Sequence, residues 1–148
     1  MIELVAGEDG IGWTSRLAMI HASIESGGAR GFPAPIATRL AKRYGYQATT
    51  TPAELRELVG GLLSVLRERL GTAALFGGAR PNALDVYAAS FLTPLSVIDD
   101  TVCPQMIEPL RRAFATAREL LGELVPDELW AHRTRMFERF LTLPIRLA

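Results

Sequence analysis

Residues Phe76 to Leu95 read FGGARPNALDVYAASFLTPL, and the reading of this stretch decides the fold. Nothing between Val86 and Ile98 is charged, in a chain that is 22% charged overall. Ahead of the uncharged run stands Pro81-Asn82-Ala83-Leu84-Asp85. Asn82 has the side chain of a helix N-cap, and Asp85, at the third helical position, reaches back to close a capping box. Pro81 and Val86 occupy the places of a hydrophobic staple. Downstream, Leu84, Tyr87, Ala88, Phe91, Leu92 and Leu95 form one apolar stripe, while Val86 and Ala89 cover the other side. A helix that is apolar on every side is one surrounded by other helices. The stretch therefore predicts a buried central helix over about 83–98, its register set by a strong start signal.

Helical spacing recurs on both sides of it. Ile2, Leu4 and Val5 resemble the last turns of a helix, and GEDGIG breaks it. Trp13, Leu17, Ile20 and Ile24 follow in one stripe, and SGGARG closes that helix. Ile36, Leu40 and Tyr44 share a side of the next, with Gly45 as its stop. Thr51-Pro52-Ala53-Glu54 is a capping box with proline at the first helical position. Leu55, Leu58, Val59, Leu62 and Leu66 then recur at helical spacing, with Gly60-Gly61 in their midst. Such glycines cost roughly 1 kcal/mol each relative to alanine, so they predict a bend or the close approach of another helix. Further helices begin near Glu108 and Asp127. No stretch alternates as a strand does. The expectation is one all-α domain over 1–148, a bundle of six to seven helices with short connections.

Composition narrows the function classes. The 16 basic and 16 acidic residues cancel, which removes any overall attraction to nucleic acid or an anionic membrane. The uncharged run is shorter than the roughly 20 apolar residues that cross a bilayer, and Pro94 interrupts it. The N-terminal MIELVAGEDG lacks the basic and apolar regions of a signal peptide. Cys103 is the sole cysteine, so no internal disulfide forms, which suits a cytoplasmic protein. As a thiol nucleophile Cys103 needs a base, and His21 and His132 lie far from it in sequence. Asp99-Asp100 suggests a cap or turn rather than a metal site, because no further ligand follows at the right spacing. Arg133, Arg135, Arg139 and Arg146 are interrupted by Glu138 and fit a solvated face better than a nucleic-acid patch. No catalytic or metal-binding residue is expected in this chain.

Three segments together resemble the C-terminal, all-helical domain of the glutathione transferase superfamily. LFGGARPNALDVYAASFL is similar to its central-helix motif, with Gly77, Gly78, Pro81, Asn82 and Asp85 filling the pattern. HRTRMFERFLTLP, from His132 to Pro144, resembles the C-terminal helix of a bacterial-type subset. GEDGIGWTSRLAMIHASI is similar to the first long helix. The resemblance implies the helical half of such a protein, lining a pocket for a small hydrophobic acceptor substrate and contributing a homodimer surface. It implies that Trp13, Arg16 and Ile20 border that pocket, with Arg16 binding an anionic group. The thioredoxin-like domain, which carries the glutathione site, has no counterpart in the pattern of these residues. That domain or a protein partner is expected to complete the site, glutathione is implied only for a full-length relative, and catalysis by this chain alone is not expected. The alternative is a non-catalytic protein–protein interaction module of the same fold.

Overall fold

Two capping boxes mark where helices of the bundle begin. In the first, the Thr51 hydroxyl accepts from the Glu54 backbone N–H at 3.2 Å and the Glu54 carboxylate accepts from the Thr51 N–H at 2.8 Å. In the second, Asn82 Oδ1 accepts from the Asp85 N–H at 3.2 Å and Asp85 Oδ2 accepts from the Asn82 N–H at 2.9 Å. Each box satisfies donors that the first turn of a helix leaves without partners. The computed structural model describes residues 1–96, 98 and 100–144. They form α1 (Ile2–Ala6), α2 (Ile11–Glu25), α3 (Ala34–Arg43), α4 (Pro52–Leu70), α5 (Ala83–Leu92), α6 (Glu108–Leu121) and α7 (Asp127–Arg139). Short 3-10 turns follow α5 at Thr93–Leu95 and α6 at Gly122–Leu124. Six of these helices have ten residues or more, and no strand occurs among the described residues. No helix among them is long and apolar enough to cross a membrane.

The hub of the bundle is α2, which packs against α1, α3, α4, α5 and α6. Ile11, Met19 and Ile20 are fully buried there, together with the polar Thr14, Ser15 and Ser23. The two serine hydroxyls turn back onto their own helix, Ser15 Oγ donating to the Ile11 carbonyl at 2.7 Å and Ser23 Oγ to the Met19 carbonyl at 2.5 Å, while Thr14 Oγ1 donates to the Asp9 carbonyl ahead of the helix at 3.3 Å. A hydroxyl satisfied in this way can be enclosed without leaving a buried donor. The stripe expected on α2 is therefore not its inward face. Only Ile20 of that stripe is in the core, Trp13 and Leu17 are half-buried, and Ile24 is exposed.

The helix that begins at Ala83 differs from its expectation in two respects. It ends at Leu92 and tightens into the 3-10 turn Thr93–Leu95, where Pro94 has no N–H to continue the α-helical ladder. It is also not wrapped on all sides. Leu84, Ala88, Ala89, Leu92 and Leu95 are buried, but Val86 is 43% and Tyr87 40% exposed. The physical reason is that α7 covers one flank while α1 and α2 cover another, which leaves the strip from Ala83 through Val86, Tyr87 and Ser90 open. Val97, at the end of the predicted span, lies outside the described residues, as do Asp99 and Arg146. On α4, Leu55, Val59, Leu63, Leu66 and Leu70 face the core and Leu58 does not. Gly60 and Gly61 are approached by no neighbouring helix, since a Cβ at either would meet nothing within 4 Å.

Candidate functional site

A cleft of about 380 Å³ opens between α2, α3, α6 and the turn that follows α5. Its walls are almost wholly apolar. Met19 comes from α2, Leu40 from α3, Phe91 from α5, Pro94 from the turn, and Leu110 and Phe114 from α6. Phe32 joins them from the loop between α2 and α3, where its backbone N–H donates to Ser23 Oγ at 2.8 Å. The same loop is tied to α6, because Thr116 Oγ1 accepts from the Gly31 N–H at 3.0 Å and Arg112 Nε donates to the Gly31 carbonyl at 2.9 Å. One wall of the cleft is thus a loop fixed from two helices rather than a free segment.

Arg16 is the one charged side chain lining this cleft. Its guanidinium lies 5.7 Å from the centre of the Tyr44 ring and 5.6 Å from that of Phe91. Its Nη1 donates to the Gly12 carbonyl, one turn back, at 3.2 Å. None of the ion pairs among the described residues includes Arg16. A guanidinium has five N–H donors in a planar fork, so most of its capacity remains for a ligand. Gly12 is what lets Phe91 close on α2: a Cβ there would fall 2.1 Å from Phe91 Cδ1.

Of the residues expected to border a pocket, the structure brings Arg16 into the cleft wall. Trp13 sits behind that wall, edge-on to Tyr44 with ring centres 4.7 Å apart and planes at 70°. Ile20 is fully buried in the core and does not line the cleft. An apolar stripe along Trp13, Leu17 and Ile20 is not bare. No family model, no curated protein and no solved structure matches this chain. What can be said of the site therefore rests on its own geometry.

A second cluster is polar and closed. Asp85 is fully buried and its carboxylate accepts four hydrogen bonds. Oδ1 takes the Phe76 N–H at 2.7 Å and His132 Nε2 at 2.9 Å, and Oδ2 takes the N–H groups of Gly77 at 3.0 Å and Asn82 at 2.9 Å. Burial pushes this carboxyl up, but the backbone donors and His132 together outweigh it and hold Asp85 below the ordinary carboxylate range. His132 is also fully buried, its Nδ1 has no partner, and the Phe76 ring stands edge-on to it at 4.9 Å. The bond of His132 to the Asp85 carboxylate, which only accepts, places a proton on Nε2. Neither residue lines the Arg16 cleft, so this pair is a clamp on the loop from Phe76 to Asn82 rather than an acid–base couple.

The other candidates resolve in the same structural way. Cys103 is buried, while His21 is hydrogen-bonded through Nδ1 to the Tyr46 hydroxyl at 2.9 Å and His132 to Asp85. Neither histidine is committed to the thiol. Asp100 pairs with Arg111 at 2.8 Å, and no group of three or more metal-ligating side chains occurs among the described residues. Arg133 donates through Nε to Thr93 Oγ1 at 3.3 Å and lies 4.2 Å over the Phe137 ring, and Arg135 donates to the Ala74 carbonyl at 3.0 Å. These arginines fasten α7 to its neighbours.

Proposed function

We propose that this chain is a ligand-binding helical module, the helical half of a glutathione-transferase-like protein, and that its cleft takes a small ligand with an apolar body and one negative charge. The observation that carries the reading is Arg16, flanked by the Tyr44 and Phe91 rings at the wall of an apolar cleft, with no carboxylate among the described residues paired to it. A cavity of a few hundred Å³ with apolar walls and a single oriented polar group suits a small molecule. The guanidinium would fix the anionic end of the ligand, and the rings would hold its body. Catalysis and glutathione binding are left to a thioredoxin-like domain or another partner. A homodimer surface is the remaining part of this reading.

Fluorescence titration with 1-anilinonaphthalene-8-sulfonate, beside the uncharged N-phenyl-1-naphthylamine, tests the cleft. The sulfonate is expected to bind more tightly, Arg16→Met to remove that preference while leaving the uncharged dye bound, and glutathione to show no affinity. Binding of neither dye would overturn the reading, and so would a sulfonate preference that survives Arg16→Met. The second reading, a protein-docking module, draws on the bare strip at Val86 and Tyr87, beside which α1 carries exposed Ile2. It requires a stable complex in pull-down that Tyr87→Glu abolishes.

A further inference from the structure

We infer that the gap between α6 and α7 is an anion site in its own right, and that it takes a phosphate monoester carrying a small ring, held by Arg118 and Arg133 beside Trp130. The inference goes beyond the reading above and does not depend on it. The turn Gly122–Leu124 joins the two helices, yet α6 packs chiefly on α2, on that turn and on Thr93–Leu95, while α7 packs on α5. The space left between them is a cavity of about 450 Å³. None of the residues lining it lines the Arg16 cleft. The 3-10 turn after α5 stands between the two, with Pro94 in the wall of the cleft and Leu95 in the wall of this cavity.

Each wall brings one guanidinium. Arg118 comes from the last turn of α6 and is exposed. Gly122 lets its stem lie close to the chain, since a Cβ there would fall 3.1 Å from Arg118 Cγ and 3.1 Å from the Leu95 carbonyl oxygen. On α7, Arg133 and Thr134 follow Trp130 at spacings of three and four, so the three share one face. Arg133 is half-buried. Its Nε donates to Thr93 Oγ1 at 3.3 Å and its guanidinium lies 4.2 Å over the Phe137 ring. Those contacts fix the head and leave both Nη groups without a partner among the described residues. Burial holds the Arg133 pKa below the ordinary arginine value, because water is scarce there and no counter-charge makes up for it. One carboxylate also lines the cavity, Glu123, and it is already engaged. Arg56 of α4 donates through Nη2 to Glu123 Oε1 at 2.5 Å and through Nη1 to the Leu120 carbonyl. None of the ion pairs among the described residues includes Arg118 or Arg133.

These charges specify the ligand. With Glu123 set against Arg56, two guanidiniums remain on the walls of one space. A carboxylate balances one of them. A phosphate monoester carries a charge of about −1.5 to −2 at neutral pH and three acceptor oxygens, so it balances both. The planar fork of arginine matches phosphate geometry as well. Thr134, at the rim, adds a hydroxyl, whereas Ser96 Oγ already gives its proton to the Thr93 carbonyl at 2.8 Å. Trp130, half-buried in the same wall, supplies the apolar surface for a ring on the ester. The carboxylate of Glu123 beside the site, and the net charge of zero over the whole chain, weigh against a long polyanion.

Nuclear magnetic resonance titration of the whole labelled chain with phenyl phosphate, beside phenol and inorganic phosphate, tests this. Phenyl phosphate is expected to shift the Trp130 indole N–H and Arg133 Nε–H signals and to bind there more tightly than either fragment. Arg118→Met changes an exposed side chain, so the fold is retained, and should weaken that binding about tenfold or more. Arg133→Met should weaken it likewise, and Arg118→Lys less, since the charge is kept and the fork is lost. The same titration in Arg16→Met should give the same shifts at Trp130 and Arg133. Absence of those shifts overturns the inference, as does binding that survives Arg118→Met. Inorganic phosphate bound as tightly as phenyl phosphate also overturns it, because Trp130 then holds no ring. The sulfonate-dye preference measured on Arg118→Met reads the Arg16 cleft separately, so failure at one site and failure at the other are distinguishable.

Discussion

Removing the Asp85 carboxylate should destabilise this protein far more than loss of an ordinary helix cap. A cap substituted by alanine typically costs about 1 kcal/mol. Asp85 is a cap and also the acceptor for the Phe76 and Gly77 N–H groups and for His132 Nε2. Gly77 and Asn82 are exposed, so water can take over their donors after Asp85→Ala. Phe76 and His132 are buried, so theirs stay unsatisfied. At about 1 to 3 kcal/mol for each of the two buried donors left without a partner, plus the cap, the expected loss is about 3 to 7 kcal/mol. That is a large share of the roughly 5 to 15 kcal/mol available to a typical domain. Thr51→Ala is the internal control. It opens a box of the same geometry on the exposed start of α4 and should cost about 1 kcal/mol. Urea unfolding followed by circular dichroism measures both. The same group sets an acid limit. Its carboxyl is held below the unfolded value of about 3.9, so its contribution is present above that pH and is lost as pH falls through the lower, folded value. Asp85→Asn should flatten the fall in stability below about pH 4. Equal losses for Asp85→Ala and Thr51→Ala would refute the reasoning, because the buried donors would then carry no cost.

Other substitutions probe other links. Leu92→Ala, at a fully buried position of α5, should cost about 2 to 5 kcal/mol in the same assay, and a loss below one would show that the core does not close there. Gly12→Ala should destabilise by about 1 to 3 kcal/mol and weaken dye binding, since the added carbon displaces Phe91 from beside Arg16. Unchanged dye affinity in that variant would mean that Phe91 is not part of the binding wall. Gly61→Ala, with open space above it, should raise the unfolding free energy of the dilute monomer by about 0.5 to 1 kcal/mol, and a loss would reveal a close contact there.

Helix starts were the most legible part of the fold, because caps are local. Thr51 with Glu54 and Asn82 with Asp85 act over three residues, and α6 and α7 begin at Glu108 and Asp127 as their spacing suggests. The identity of the central helix was not legible. Burial of α2 depends on Ser15 and Ser23 satisfying their own hydroxyls, and counting apolar residues at helical spacing takes no account of that. The uncharged run after Asp85 suggested complete enclosure, yet its Val86 and Tyr87 are exposed, since apolar residues are common on protein surfaces. The bond from Asp85 to His132 spans 47 positions and has no local signature. The cleft was half-legible. Arg16 was expected at a pocket from the resemblance of its helix, but its neighbours Tyr44 and Phe91 come from other parts of the chain. Ile20 lay on the expected stripe, yet it alone of that stripe is in the core, because the inward face of α2 runs through Ile11, Ser15, Ala18, Met19 and Ala22 instead.

The most direct test of the Arg16 cleft is nuclear magnetic resonance. Titrating 1-anilinonaphthalene-8-sulfonate into the labelled chain should shift the Arg16 side-chain N–H signal first, together with ring signals of Tyr44 and Phe91. Shifts confined to Val86 and Tyr87, with Arg16 unmoved, would contradict the account and place the binding surface on the open side of α5.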